Sequence, residues 1–275
     1  LNMNLILAVN EGSQHKARLI QLIYKKNVKK NEKPVVFIGK GVMFDSGGYN
    51  IKLKDFSDMK NDMTSSAIIY SLMNLIAYHE IDGYFIGLLP IVENMVDAKA
   101  IRPGDIFKGY NKKTVEIIDT DAEGRLILAD SLAYSEVFNP KLCIDLGTLA
   151  GINESFMGNK VGSILGNNNR VIKKIIYNGE KNNELLLELP IWEEYISETK
   201  SDIADLKNYG SCCGGIFAGA FLSNFVPENT SWVHIDIAGI DYLQKETDSR
   251  YGGGTGNIIR TLFDLSKDKE LLKNL

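Results

Sequence analysis

Short apolar runs alternate along the chain with longer stretches in which apolar residues recur at helical spacing. The short runs are typical of buried strands and the longer stretches of helices that pack on a sheet. The predicted strands span Leu5 to Val9, Leu19 to Tyr24, Val35 to Ile38, Tyr84 to Pro90, Thr114 to Ile118, Leu142 to Leu146, Val161 to Leu165 and Trp232 to Ile237. The predicted helices span about Asp62 to Tyr78, Glu123 to Phe138, Asn169 to Gly179, Gly214 to Phe225 and Thr255 to Leu265. This alternation predicts an α/β fold with a mostly parallel central sheet covered by helices.

No internal repeat, low-complexity tract or linker-like segment divides the sequence. A chain of 275 residues can bury a sizeable core. We therefore expect one domain spanning residues 1–275.

One turn between a predicted strand and a predicted helix concentrates charged side chains. The segment Asp119-Thr-Asp-Ala-Glu-Gly-Arg-Leu126 places Asp121 and Glu123 two residues apart, with Arg125 two residues further on. Divalent cations take carboxylate oxygens, and ligands in open α/β sheets lie beyond the carboxyl ends of the strands. A simpler interpretation is open, because Thr120 and Glu123 have the spacing of a capping box at a helix N-terminus.

A second charged cluster lies upstream, in the Gly-rich segment 39–52 and in Met59-Lys-Asn-Asp62. Its glycines permit backbone conformations closed to other residues, which suits a loop folded round a ligand. Capping does not explain the charged residues of this cluster, which are Lys40, Asp45, Lys52 and Asp62. The two clusters together favour a metal site.

Composition narrows the classes of protein to which the chain can belong. A net charge of -4 without a long basic run argues against nucleic acid as the main partner. No apolar segment of membrane-spanning length and no signal peptide is present in the sequence, so we expect a soluble, cytoplasmic protein. Cys143 is expected in a buried strand, His79 at the end of a helix, and the adjacent Cys212 and Cys213 in a loop. No Ser-His-Asp or Cys-His grouping is visible, so water is the expected nucleophile.

The motifs together resemble the leucine aminopeptidase family, the di-metal M17 peptidases, from about Asn4 to Leu265. The resemblance rests on Leu7-Ala-Val-Asn-Glu-Gly-Ser13, Lys40-Gly-x-x-Phe-Asp-Ser-Gly-Gly48, Met59-Lys-Asn-Asp-Met63, Glu93-Asn-Met95, Arg102-Pro-Gly-Asp105, Thr120-Asp-Ala-Glu-Gly-Arg-Leu126, Asp145-x-x-Thr-Leu-x-Gly151, His234-Ile-Asp-Ile-Ala-Gly239 and Gly254-Thr-Gly256. It implies a three-layer α/β sandwich round a mixed, mostly parallel sheet. It also implies hydrolysis of the N-terminal residue, often leucine, from peptides.

The resemblance further implies two divalent metal ions per subunit, zinc or manganese, with magnesium or cobalt as alternatives. Asp45 and Glu123 would bridge the two ions, Lys40 and Asp62 would complete one, and Asp121 would complete the other. In the family's scheme a water held by both ions attacks the scissile carbonyl, Lys52 binds the developing oxyanion, and Arg125 holds a bicarbonate. The positions implied to line the substrate site are Met59, Leu149, Gly151, Ala238 and Asp241.

Several features depart from the family pattern. Asp119 stands where the family usually has Asn, and the interval from Lys52 to Asp62 is one residue shorter than is common. Asp241 stands where some leucine-preferring members carry an apolar residue, which predicts a preference for basic first residues; a solvated loop carboxylate is the alternative. Full-length members carry a further N-terminal domain, so a start at Leu1 indicates a fragment, and the family implies a homohexamer.

Two other functions are alternatives to the peptidase. One is a di-metal hydrolase of another bond, such as a phosphoester, which also uses bridged metals. The other is a noncatalytic scaffold or DNA-associated member of the same family. The acidic balance and the retained motif positions favour the peptidase.

Overall fold

A computed structural model describes residues 1–54, 56–150, 157–210, 214–246 and 252–275. The predictions made for Gly151, Cys212 and Cys213 lie outside the described residues.

An eight-stranded mixed sheet forms the centre of the protein, in the order β1-β4-β2-β7-β11-β8-β9, with β3 paired beside β4. Its strands are β1 (Arg18–Lys26), β2 (Val35–Gly39), β3 (Gly41–Asp45), β4 (Gly83–Asn94), β7 (Leu142–Gly147), β8 (Val161–Gly166), β9 (Leu185–Glu188) and β11 (Ser231–Asp236). Strands β3, β4, β2, β7 and β11 run parallel to one another. Strand β1 is antiparallel to β4, and β8 is antiparallel to β11. The predicted mixed, mostly parallel sheet is confirmed.

Two small sheets lie outside the central one. The first has the order β10-β6-β5 and the second pairs β12 with β13. Their strands are β5 (Ile106–Lys108), β6 (Thr114–Glu116), β10 (Leu206–Lys207), β12 (Tyr242–Leu243) and β13 (Gly253–Gly254).

Helices cover both faces of the central sheet. They are α1 (Asn4–Val9), α2 (Thr64–Tyr78), α3 (Gly124–Tyr134), α4 (Asn169–Asn182), α5 (Glu193–Glu198), α6 (Gly214–Ser223), α7 (Ile259–Ser266) and α8 (Lys269–Lys273). Side chains of α1, α3 and α6 share one buried cluster with one face of the sheet, and those of α2, α4, α7 and α8 share a second cluster with the other face. The expected three-layer α/β sandwich is therefore present.

The central strands are apolar because both of their faces are covered. All positions of β2 and of β7 are buried, which explains their continuous apolar runs. Cys143 is fully buried in β7, as predicted. His79 ends α2 and packs its ring on Phe263, at 5.1 Å between ring centroids.

The sequence prediction was wrong for Leu5 to Val9, which form helix α1 rather than a strand. The carboxylate of Asp130 explains this, because it accepts the N–H groups of Leu5 at 2.8 Å and Ile6 at 3.2 Å and so satisfies the first turn of the helix. A short apolar run contains no signal of a partner so distant along the chain.

Other boundaries differ from the prediction by a few residues. Strand β6 ends at Glu116 rather than Ile118, and α7 begins at Ile259 rather than Thr255. The residues just before α7 include Gly253–Gly254, which pair with β12 instead. No helix among the described residues is both long and apolar enough to cross a bilayer.

Candidate metal centre

The charged residues predicted from the two motifs meet at one edge of the central sheet. Lys40 directly follows β2, Asp45 ends β3, and Thr148 directly follows β7. Since these strands run parallel, their carboxyl ends lie at the same edge. Asp62 and Glu123 come just before α2 and α3, which return from that edge.

Lys40 lies at the centre of the first group of contacts. Its Nζ is 2.8 Å from Asp62 Oδ1 and 2.8 Å from Glu123 Oε1. It also donates to the carbonyl oxygen of Thr148 at 3.1 Å, while the Thr148 hydroxyl donates to Asp62 Oδ1 at 2.6 Å. The three charged side chains are almost completely buried. A Cβ at position 124 would lie 2.5 Å from Lys40 Cε, so glycine at this position leaves room for the lysine.

Lys52 makes the second group of contacts, nearer the surface. Its Nζ is 2.8 Å from Asp45 Oδ2 and 2.6 Å from Asp121 Oδ1. Asp45 is buried, whereas the side chain of Lys52 is 19% exposed and that of Asp121 30% exposed. This half of the cluster is therefore the one that solvent reaches.

The two groups form one cluster with an excess of negative charge. Asp45, Asp121 and Glu123 each place a carboxylate oxygen within 4.8 Å of the other two. With Asp62 the cluster has four carboxylates against the two ammonium groups of Lys40 and Lys52. Fully ionised, it carries a formal charge of minus two.

The pKa values reflect this crowding. Burial raises the pKa of Asp62 to about 8, against the opposing charge of Lys40. Burial and nearby carboxylates raise the pKa of Asp121 to about 7, and they also raise the pKa of Glu123. Burial lowers the pKa of Lys40 and of Lys52, but the surrounding carboxylates outweigh burial and raise both. Burial and mutual repulsion disfavour the ionised forms of these carboxylates, so additional positive charge would stabilise the cluster.

The donor set fits divalent cations. Asp62 Oδ2 and Glu123 Oε2 are buried and have no hydrogen-bond partner among the residues that the structure describes. A buried carboxylate oxygen without a partner is costly in a protein interior, and a metal ion satisfies it. Carboxylate oxygens beside a lysine nitrogen suit metals that accept both oxygen and nitrogen ligands.

The loop that follows β3 is held tightly against the loop before α3. Gly47 has φ of 86°, and a Cβ there would lie 2.4 Å from the carbonyl oxygen of Asn50. The hydroxyl of Thr120 donates to Gly47 O at 2.6 Å and accepts from Asn50 N at 2.8 Å. These bonds place Asp45 and Asp121 beside each other at the ends of the two loops.

The capping-box interpretation of Thr120 and Glu123 is wrong. Glu123 stands at the N-cap of α3, and no side-chain capping bond is formed there within the described part of the chain. The Thr120 hydroxyl contacts the loop after β3, and the Glu123 carboxylate contacts Lys40. Both side chains are used by the cluster rather than by the helix end.

Arg125 lies behind the cluster, buried at 3% exposure. Its Nη1 donates to Asn208 O at 2.9 Å, and its guanidinium lies 5.9 Å from the ring of Tyr209 and 5.7 Å from that of Phe217. Burial lowers the pKa of Arg125, and the charge of Glu123 opposes this. The group presents a positive charge next to the carboxylates.

Two of the residues expected to line a substrate pocket, Leu149 and Ala238, are held by the same side chain. The backbone N–H groups of Leu149 and Ala238 share one acceptor, Asp236 Oδ1, at 3.1 Å each. Met59 lies in the helical turn Phe56–Asn61, which precedes α2. Asp241 is 8% exposed, and burial raises its pKa to about 6, so the alternative of a solvated loop carboxylate is wrong.

Sequence reasoning assigned no role to three polar residues that shape the site. Asn94 donates to Asp45 Oδ1 at 2.8 Å and to Thr120 O at 3.0 Å. Asn208 is fully buried, and its amide donates to Asp119 O at 2.6 Å. Thr148 joins Lys40 and Asp62, as described above. A polar residue at the end of an apolar strand was a signal for Asn94, whereas Asn208 had none.

Comparisons with known proteins identify the family of this chain. A model of the cytosol aminopeptidase family's catalytic domain matches residues 1–263. A probable cytosol aminopeptidase of Geobacter sp. (strain M21) is 41% identical over 98% of this chain and 55% of its own length. One of Syntrophotalea carbinolica is 42% identical over 94% of this chain and 52% of its own length. The chain thus spans about half the length of these relatives.

Solved structures show the same likeness. A crystal structure of the cytosol aminopeptidase of Coxiella burnetii superposes with a TM-score of 0.91 at 32% identity, covering 98% of this chain and 58% of that one. The bottromycin maturation enzyme BotP in complex with Mn superposes with a TM-score of 0.90 at 30% identity, covering 97% of this chain and 59% of that one. The chain belongs to the cytosol aminopeptidase family, of which it contains the catalytic domain.

Proposed function

We propose that this chain is a metal-dependent aminopeptidase, which hydrolyses the peptide bond after the N-terminal residue of a peptide with the help of two divalent cations. The observation that carries the proposal is the buried cluster of four carboxylates and two lysines at the carboxyl edge of the sheet, in a chain of this family. Peptide hydrolysis by water needs a group that acidifies the water and stabilises negative charge on the carbonyl oxygen.

The cations would be held by the residues of the cluster. Asp45 and Glu123 are assigned to both ions, Lys40 and Asp62 to one, and Asp121 to the other. When bound, such ions would acidify a water and polarise the substrate carbonyl. Zinc and manganese suit the mixed oxygen and nitrogen donors best, with magnesium or cobalt as alternatives.

Lys40 has to release a proton before its nitrogen can act as a ligand. The Lys40 ammonium contacts Asp62 and Glu123. A cation bound at the same place would supply the positive charge instead of the ammonium. Uptake of metal should therefore release protons and weaken as the pH falls.

Lys52 is assigned to stabilise the oxyanion that develops from the substrate carbonyl. It is part-exposed, it stands on the solvent side of the cluster, and the carboxylates keep it protonated. A protonated amine at this point can donate a hydrogen bond to the carbonyl oxygen as negative charge develops there. The contacts with Asp45 and Asp121 orient it before substrate arrives.

Arg125 is assigned to hold a small anion such as bicarbonate, which when bound would supply a base for proton transfer. Its charge is buried beside the carboxylates, and its Nε makes no hydrogen bond to any described residue. A buried donor of this kind can hold a small anion by charge and hydrogen bonding. Assembly into a hexamer and a cytoplasmic location are further parts of the proposal that follow from the family.

The test is a panel of aminoacyl fluorogenic substrates, assayed after chelation and again after addition of zinc, manganese, magnesium or cobalt. We expect chelation to abolish cleavage and at least one metal to restore it. An aryl phosphodiester assayed in the same way tests the other di-metal chemistry. Metal-restored cleavage of the phosphodiester without cleavage of any aminoacyl substrate would overturn the proposal.

A further inference from the structure

A group of buried polar side chains lies on the neighbouring strands β7 and β11, near the cluster of carboxylates and lysines. Asp145 of β7 and His234 of β11 are directly paired across these parallel strands. Asp145 Oδ1 is 2.5 Å from His234 Nδ1, and Asp145 Oδ2 accepts from Trp232 Nε1 at 2.6 Å. All three side chains are buried. Asp145 therefore fixes the orientation of the imidazole ring.

The next residue on the same face of β11 is Asp236, because side chains of a strand alternate between faces. Asp236 Oδ1 accepts the N–H groups of Leu149 and Ala238, at 3.1 Å each. Leu149 follows the end of β7 and Ala238 follows the end of β11. One oxygen atom thus joins the two loops that leave neighbouring strands at the edge where the cluster lies.

The loop after β7 is also part of the cluster. Thr148, the neighbour of Leu149, accepts from Lys40 Nζ through its carbonyl and donates to Asp62 Oδ1 through its hydroxyl. These two contacts anchor Thr148 to the cluster and do not involve Asp236. The carboxylate of Asp236 is the contact that links this loop to β11.

His234 is paired with Asp145, and its charge also acts on the Asp236 carboxylate. Burial lowers the pKa of His234, but the charges of Asp145 and Asp236 outweigh burial and raise it. His234 Nε2 and Asp236 Oδ2 are both buried and make no hydrogen bond to any described residue. Burial raises the pKa of Asp236, and the His234 charge and the two backbone N–H groups oppose that rise.

We propose that Asp236 is a positioning residue, which fixes the two loops carrying Leu149 and Ala238 as walls of the pocket for the substrate's first side chain. The role in substrate choice rests on the proposed aminopeptidase function. The tethering of the two loops does not, because it is a property of the fold.

The experiment compares two acceptor-free variants, Asp236→Ala and Asp236→Leu, with Asp236→Asn, which keeps an oxygen acceptor. The control is Asp130→Ala, because Asp130 is also a fully buried carboxylate that accepts backbone N–H groups, from Leu5, Ile6 and Tyr110. The readouts are kcat and KM for leucyl and alanyl substrates, and the hydrogen exchange of individual backbone amides.

In the acceptor-free variants the leucyl-to-alanyl ratio of kcat/KM should fall about tenfold, the scale of discrimination that a well-shaped apolar pocket provides. The change should come mainly from KM for the leucyl substrate, with kcat for the alanyl substrate within about threefold of wild type. The amides of Leu149 and Ala238 should lose protection from exchange. Asp236→Asn should recover the ratio, and Asp130→Ala should leave both readouts at these positions unchanged.

Two results would overturn the proposal. One is an unchanged substrate ratio together with unchanged exchange at Leu149 and Ala238 in whichever acceptor-free variant folds. The other is the same loss of ratio in Asp130→Ala, which would make the effect one of general stability. If the wild-type chain cleaves no aminoacyl substrate, the proposed function fails, and the exchange of the two amides still decides whether Asp236 tethers the loops.

Discussion

Two groups of buried carboxylates in this protein differ in how their oxygens are satisfied. At Asp130, Oδ2 accepts the N–H groups of Leu5 and Ile6, and Oδ1 accepts that of Tyr110 at 2.7 Å. At the carboxyl edge of the sheet, Asp62 and Glu123 each keep a buried oxygen without a hydrogen-bond partner among the described residues.

Burial raises the pKa in both places, to about 6 for Asp130 and about 8 for Asp62. A raised pKa therefore does not separate a structural carboxylate from a functional one. A group of several carboxylates that also have unused acceptor oxygens does, because a bound cation relieves both, and the described residues around Asp130 show neither.

The largest expected effect is on turnover, from Glu123→Ala. This change removes the carboxylate that contacts Lys40 and that lies within 4.8 Å of the Asp45 and Asp121 oxygens. We expect hydrolysis of aminoacyl substrates to become undetectable, because the proposed function assigns this carboxylate to both ions. Asp130→Ala, assayed at a temperature where it is folded, should keep normal turnover. Equal losses in the two variants would remove the distinction between the two regions.

The second prediction concerns the effect of the Asp130 carboxylate on the stability of the protein. Asp130→Ala removes the acceptor of three N–H groups, of which the two that begin helix α1 are buried. At about 1–3 kcal/mol for each unsatisfied group, with partial relaxation, we expect a loss of about 3 kcal/mol in the free energy of unfolding. The melting temperature should fall by roughly 6 to 12 °C, as measured by calorimetry. A fall of less than about 2 °C would show that α1 does not depend on this contact.

Within the cluster, Lys52 should affect chemistry without affecting metal content. Lys52→Ala should lower kcat about 100-fold or more, as expected for loss of one donor to the oxyanion. Lys54→Ala is the matched control, because Lys54 is an exposed lysine two residues along. Elemental analysis should find metal near the wild-type level in both variants. Loss of metal from Lys52→Ala, or a normal kcat, would refute the assigned role.

The smallest expected effect concerns Asp241, which resembles Asp130 in being buried with a pKa of about 6. If its carboxylate reaches a substrate ammonium, the attraction of about 1 to 2 kcal/mol favours lysyl over leucyl substrates roughly five- to thirty-fold in kcat/KM. Asp241→Asn removes the charge at constant size and should abolish that preference. An unchanged lysyl-to-leucyl ratio would mean that Asp241 does not face the pocket.

The fold was predictable where burial alone decides the structure. The continuous apolar runs of β2 and β7 predicted central strands, because both faces of these strands are covered. The run Leu5 to Val9 was wrongly predicted as a strand, since its helical form depends on Asp130, 125 residues away from Leu5. Local pattern cannot encode such a partner.

The candidate site was predictable as a set of residues but not as a network. The motifs supplied Lys40, Asp45, Lys52, Asp121 and Glu123, which the fold brings together. The supporting groups were not predictable, because the position of Asn208 beside the loop before α3 arises only when distant segments pack.

The most direct test of the central claim is to count divalent ions per chain while hydrolysis is measured. Metal-free protein should be titrated with manganese or zinc, with bound metal determined by elemental analysis and cleavage of a leucyl substrate followed in the same samples. The account predicts no cleavage without metal and full activity at about two ions per chain. A metal-free chain that cleaves the substrate at the full rate would contradict it.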